Sequence, residues 1–131
     1  MTILVAYVPR PEGQAALDKG IEIAKSRDER LIVVNASPGG TKEDPSFADV
    51  QDFERVQQVL ESSGLNAELK QYVRGKNAVE EIEELVESQQ VSMLVIGLRK
   101  RSPVGKLILG SVAQELLLSV SCPVLAVKSV V

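Results

Sequence analysis

The 131-residue chain contains no histidine and no tryptophan. The first absence removes the commonest general base, the commonest zinc ligand and any Ser-His-Asp or Cys-His arrangement. Aromatic residues make up only 3% of the chain, too few for base stacking to explain a function. Cysteine occurs once, as Cys122, so no intrachain disulfide is possible; beside Pro123 it reads as a small buried hydrophobe. No apolar run approaches the roughly 20 residues of a membrane-spanning helix. The start, MTILVAYVPRPEG, lacks the basic segment of a secretory leader and reads as a strand. The expected address is therefore cytoplasmic, with no membrane partner. A net charge of −3 argues against broad nucleic-acid binding.

What is present suits one domain over residues 1–131, with 44% apolar content for a core. Thr2 to Val8 reads as a strand ended by Pro9 and Pro11, and Pro11 suits the first turn of a helix. Leu17, Ile21 and Ala24 share one helical face, with Ala16 and Ile23 flanking it. Leu31 to Val34 is a continuous apolar run, as in a strand buried on both faces. A surface loop follows, and Asp44-Pro45 is the expected start of a second helix. That helix carries the stripe Phe47, Val50, Phe53, Val56 and Leu60, and Gly64 ends it. Residues 66 to 73 alternate as a half-exposed strand. Asn77 with Glu80 resembles a capping box before a third helix through Val79, Ile82 and Val86. Val91 to Ile96 is a fourth strand, Ser111 to Val120 a fourth helix and Pro123 to Val127 a last strand. The order βαβαβαβαβ implies a five-stranded parallel sheet with helices on both faces, in the Rossmann-like or flavodoxin-like doubly wound α/β class. Such sheets bind ligands beyond the carboxyl ends of the strands, where the strand order reverses. If the first and fourth strands are neighbours, Val8–Glu12 and Gly97–Ser111 converge there.

The stretch GLRKRSPVGKLILGS, Gly97 to Ser111, holds three glycines, four basic residues and no acid. Arg99, Lys100, Arg101 and Lys106 put +4 into it, while the rest of the chain has 11 basic against 18 acidic residues, a balance of −7. The anion it attracts is thus expected to be local and small. Gly110-Ser111 opens a helix whose first amides and partial positive charge suit an anion. Ser111 can cap that helix or offer its hydroxyl to a phosphate. Gly97 is expected to turn the chain off the strand, and arginine forks match phosphate oxygens. The plainer alternative is glycines for turns, a serine for a cap and solvated basic residues. A Walker A loop is excluded, because Gly105-Lys106 is followed by Leu107.

ILVAYVPRPEGQAAL, LIVVN and above all VIGLRKRSPVGKLILGSVAQELLLSVSCPVLAVK resemble the universal stress protein family over nearly the whole chain. The family's ATP-binding members carry Gly, two residues, Gly, nine residues, then Gly-Ser or Gly-Thr. Gly97, Gly110 and Ser111 fill that spacing, and Lys100 replaces the middle glycine. The family's aspartate at the end of the first strand is Val8 here, followed by Pro9. Val34 matches its adenine-side backbone contact, although a buried valine describes it more simply.

The resemblance implies a stress-response protein that holds a nucleotide, ATP or AMP, or a phosphate. Magnesium is implied only if a nucleotide is bound. The alternative is a dimeric interaction module without ATP binding, to which Val8 and Lys100 point. Catalysis beyond weak ATP hydrolysis is not expected: no protein metal site or catalytic set is visible, and the only remote acids are Glu12 and those of residues 43–54. In relatives the last strand pairs with its symmetry mate. Pro123, Val124, Leu125, Ala126 and Val127 are accordingly expected to form a homodimer interface.

Overall fold

The computed structural model describes residues 1–36, 48–72, 78–101, 106–108 and 110–129. Along the chain run β1 (Thr2–Ala6), α1 (Pro11–Arg27), β2 (Arg30–Ala36), α2 (Val50–Ser62) and β3 (Ala67–Tyr72). Then come α3 (Ala78–Ser88), β4 (Val91–Arg101), β5 (Lys106–Ile108), α4 (Ser111–Ser119) and β6 (Val124–Lys128). Five strands form a parallel sheet in the order β3-β2-β1-β4-β6. The strand order reverses at β1, so the crevice of a doubly wound sheet lies between the carboxyl ends of β1 and β4.

Period-two alternation divides the strands between two cores. Ile3, Val5, Leu31, Val33 and Val95 pack with Ala16, Leu17 and Ala24 of α1 and Val56 and Leu60 of α2. Leu4, Ile32, Val34, Leu94 and Ile96 face Ile82, Leu85 and Val86 of α3 and Leu116 of α4. Burial on both faces is why these strands read as unbroken apolar runs. Each fully buried Leu or Ile stabilises the fold by roughly 1.5–3 kcal/mol relative to exposure.

Two expectations about element boundaries are corrected. The second helix starts at Val50, capped by Asp49 in a reciprocal box with Asp52. Asp49 is extended, so Asp44-Pro45 does not open this helix; Asp44, Pro45 and Phe47 lie outside the described residues, as do Asn77 of the expected box and Gly105. The fourth strand does not stop at Ile96. It continues to Arg101, and β5 folds back on it antiparallel, with Arg99 opposite Ile108, Lys100 opposite Leu107 and Arg101 opposite Lys106. Leu98, Leu107 and Ile108 break up the charged run with apolar residues that suit strand pairing.

Candidate functional site

At the end of β1, Tyr7 N–H donates to the Val34 carbonyl at 2.8 Å and the chain then leaves the sheet. Val8 and Pro9 are half-buried there. The Val8 carbonyl accepts from Arg10 N–H at 2.8 Å and lies so close to Gly13 that a Cβ on residue 13 would collide with it. Opposite, Gly97 is paired with Val127 inside β4. A Cβ there would collide with the backbone carbonyl of Glu12. Gly97 therefore does not turn the chain off the strand; its missing side chain lets the first turn of α1 rest on β4. The first and fourth strands are neighbours, and the first turn of α1 reaches Gly97 of β4.

Beyond Gly97 the basic residues lie on the β4–β5 hairpin, with Arg99 half-buried. Lys100 stands in extended strand, so the cost of a left-handed backbone does not arise for it. The hairpin leads to Gly110, the N-cap of α4, with φ −65° and ψ 161°. Ser111 is the first helical residue, so the capping position belongs to Gly110, which has no side chain to cap with. The first turn of α4 also contains no acid. Its opening amides thus retain their attraction for an anion.

Val34, by contrast, is fully buried in the core against α3 and α4, and its carbonyl accepts from Tyr7 N–H. Its side chain offers nothing to a ligand. The neighbouring residue, Asn35, was not singled out from the sequence. It is completely buried; its amide donates to the Tyr7 carbonyl at 2.9 Å, and its oxygen accepts from Ala48 N–H at 3.0 Å and from Gln71 at 2.9 Å. Gln71 also donates to the Ala48 carbonyl at 2.7 Å. This network ties the carboxyl ends of β1, β2 and β3 to the approach to α2. The only signal in the sequence was an asparagine closing the run LIVV.

Arg10 was also passed over as a ligand, and Glu12 entered only as a remote acid. Arg10 is the N-cap of α1 and its side chain does not cap; its Nε lies 3.4 Å from Glu12 Oε2. Glu12 Oε1 is buried with no partner among the described residues. The signal for Arg10 was its place between Pro9 and Pro11, where serine, threonine or aspartate would ordinarily cap.

Two titrating groups lie beside the Asn35 network, Tyr7 and the α2 cap Asp49. Burial, reinforced by the charge of Asp52 and partly offset by Arg55, raises the Tyr7 phenol above its ordinary value. Asp49 is held below its ordinary value, first by the Asp52 backbone amide. Half-buried Cys122 packs on the α3–α4 core, and burial pushes its thiol up. Among the described residues no group of three or more Cys, Asp or Glu is placed to hold a metal ion, and no helix is long and apolar enough to cross a membrane.

On the far side of β4, β6 forms the outer strand of the parallel sheet. The Pro123 carbonyl accepts from Leu94 N–H at 2.9 Å; Val124, Leu125 and Val127 are half-buried and Ala126 is exposed.

The universal stress protein family model matches residues 1–128. A universal stress protein of Mycolicibacterium smegmatis is 48% identical over 126 residues, covering 96% of each chain. The structure of a universal stress protein from Archaeoglobus fulgidus superposes with a TM-score of 0.75 at 28% identity, covering 97% of both chains. Another from the same organism, in complex with dAMP, gives 0.69 at 22% identity, covering 97% of this chain and 96% of that one. The match of strands, glycines and closing segment along the whole length leaves one assignment: the chain belongs to the universal stress protein family.

Proposed function

We propose that the chain is a stress-response binding protein that holds a nucleoside monophosphate or a free phosphate at the β1–β4 crevice. The observation that carries this is the start of α4, which has neither a capping side chain nor an acid in its first turn and is joined to the end of β4 by the basic hairpin. Helix dipole, free amides and cationic side chains attract the same ligand chemistry. A protein of the same fold was solved with dAMP, which supports a nucleotide of that class. Val8 provides a surface for a base but no polar partner, so recognition rests on the phosphate. The proposed chemistry is binding, not turnover: Glu12, which lies against β4 at Gly97, is engaged with Arg10. Magnesium would accompany a polyphosphate rather than occupy a protein site.

Replacing Arg99, Lys100 and Arg101 together with serine should weaken AMP and inorganic phosphate binding by about tenfold at low salt, and less at high salt. Unchanged affinity at low salt refutes the proposal. It also favours the second reading, an interaction module with no nucleotide site, for which Val8 is the observation. Mass spectrometry of small molecules released from the purified protein separates the two.

The partner in either case is a second copy, joined through β6. Among the described residues the outer edge of β6 pairs with no strand, and α4, on the same face as Val124, exposes Leu117 and Leu118. An apolar parallel-sheet edge of this kind is stabilised by antiparallel pairing across a twofold axis. Val124→Lys with Val127→Lys should shift the mass towards monomer. A monomeric wild type at tens of micromolar by light scattering excludes the dimer.

A further inference from the structure

We infer that Arg10, seated by Glu12, is a phosphate-binding residue on the β1 side of the crevice, so that the ligand is gripped from both sides by its phosphate and chosen with little regard for its base. This rests on the proposed anion site and adds to it a residue, a direction of approach and a ligand preference.

Arg10 occupies a position where its side chain does not cap the helix it opens. As N-cap of α1 it is extended, with φ −143° and ψ 165°, and makes no capping bond. Pro11 restricts the backbone of Arg10, which fixes the direction in which its side chain leaves the chain, and the ion pair with Glu12 holds its far end. The guanidinium is not left to solvent. Its Nε is drawn to Glu12 Oε2, while its two Nη atoms have no hydrogen bond or ion pair among the described residues. A guanidinium tethered at Nε and open at both Nη atoms presents the fork that matches two oxygens of one phosphate.

Glu12 is itself fixed in place. Its side chain is 14% exposed, and its backbone carbonyl lies where a Cβ of Gly97 would be, so the tether is anchored at the point where β1 and β4 meet. The Glu12 carboxylate repels a phosphate; its role is to position Arg10. Its unpaired Oε1 is shut away from solvent, which keeps that negative charge close to the pair. Arg10 and Glu12 together carry no net charge. Affinity from Arg10 must therefore come from direct forked contact and not from a long-range field.

The preference follows from what the same loop lacks. Val8 and Pro9 add no side-chain donor or acceptor for a nucleoside, whereas Arg10 adds donors for a phosphate. A site altered in this way binds AMP, ribose 5-phosphate and inorganic phosphate with similar affinity.

The test is calorimetric titration of the full chain at low salt with each of those three ligands. The expected result is that wild-type affinities fall within about fivefold of one another and that Arg10→Gln weakens all three about tenfold, as loss of a charge-assisted contact implies. Arg10→Lys, which keeps the charge and loses the fork, should recover less than half of that loss on a logarithmic scale. Glu12→Gln retains an acceptor for Nε and removes the opposing charge, so it should leave melting near the wild type and strengthen binding two- to threefold. Arg10→Gln affinities within twofold of wild type overturn the inference while leaving the anion site standing. A loss confined to AMP also overturns it, since Arg10 would then be reading the base. Failure of the wild type to bind any of the three overturns the anion site itself, and this inference with it.

Discussion

The two ends of the sheet treat charge differently. At the amino ends of the strands, charged and polar side chains are paired across elements. Arg30 of β2 bonds Gln89 after α3 at 2.7 Å and Glu68 of β3 at 2.6 Å, and Glu68 also meets Lys70 at 3.2 Å. Glu29 takes Ser92 of β4 at 2.6 Å and Arg27 at 3.6 Å. At the carboxyl ends the tight joints are made without charge, by Gly13, Gly97 and the Asn35–Gln71 network. The charged residues there lie on the β4–β5 hairpin and in the Arg10–Glu12 pair, where Glu12 meets Gly97 through its backbone and not its charge. One end uses charge as a staple. The other builds its joints from glycine and amide, the arrangement that the proposed anion site calls for.

The sharpest way to break this contrast is at Gly97. Gly97→Ala places a methyl group against the Glu12 backbone, which cannot retreat without moving α1. The expected loss is about 2–3 kcal/mol, read as a lower urea midpoint with unchanged slope. A midpoint equal to the wild type would show that α1 is not seated there.

Asn35→Leu should come next. It leaves the buried Ala48 amide without its acceptor, at a cost of about 1–3 kcal/mol in the same measurement. It should also raise hydrogen exchange at Tyr7 and Ala48 more than at the amino end. Uniform exchange across both ends would mean that the network is not a local clasp.

Arg30→Met probes the amino end. Both Arg30 and Glu68 are about a third or more exposed, so solvent screening limits the loss to under about 1 kcal/mol. AMP and phosphate titrations should not change. An altered affinity would show that the two ends are coupled.

The smallest effect belongs to Asp49. Its carboxylate caps α2 and its pKa is depressed in the fold, so its contribution is present above the ordinary aspartate value and is lost as pH falls through the lower folded value. In Asp49→Ser, which keeps an acceptor but does not titrate, thermal stability should fall less steeply over that acidic window. Parallel pH curves would remove Asp49 from the account.

Composition and periodicity alone determined the doubly wound class. Leu31 to Val34 and Val91 to Ile96 are apolar on both faces, and only a sheet covered by helices on both sides buries them. That class implies a switch point, but only the strand order placed it between β1 and β4; the family resemblance, through the spacing of Gly97, Gly110 and Ser111, pointed to the stretch that follows β4. The roles of individual residues were decided by tertiary structure, because they depend on contacts between segments far apart in the chain. Gly97 is glycine because Glu12, 85 positions earlier, rests on it. Arg99 to Arg101 are strand because residues 106–108 return beside them, a pairing that hydrophobic period cannot announce in so charged a run. Asn35 closes an apolar strand in sequence and becomes a hub only once Tyr7, Ala48 and Gln71 are brought around it. Local pattern sets which faces must be buried; the partners that complete a buried polar group or a close backbone approach exist only after the chain has folded.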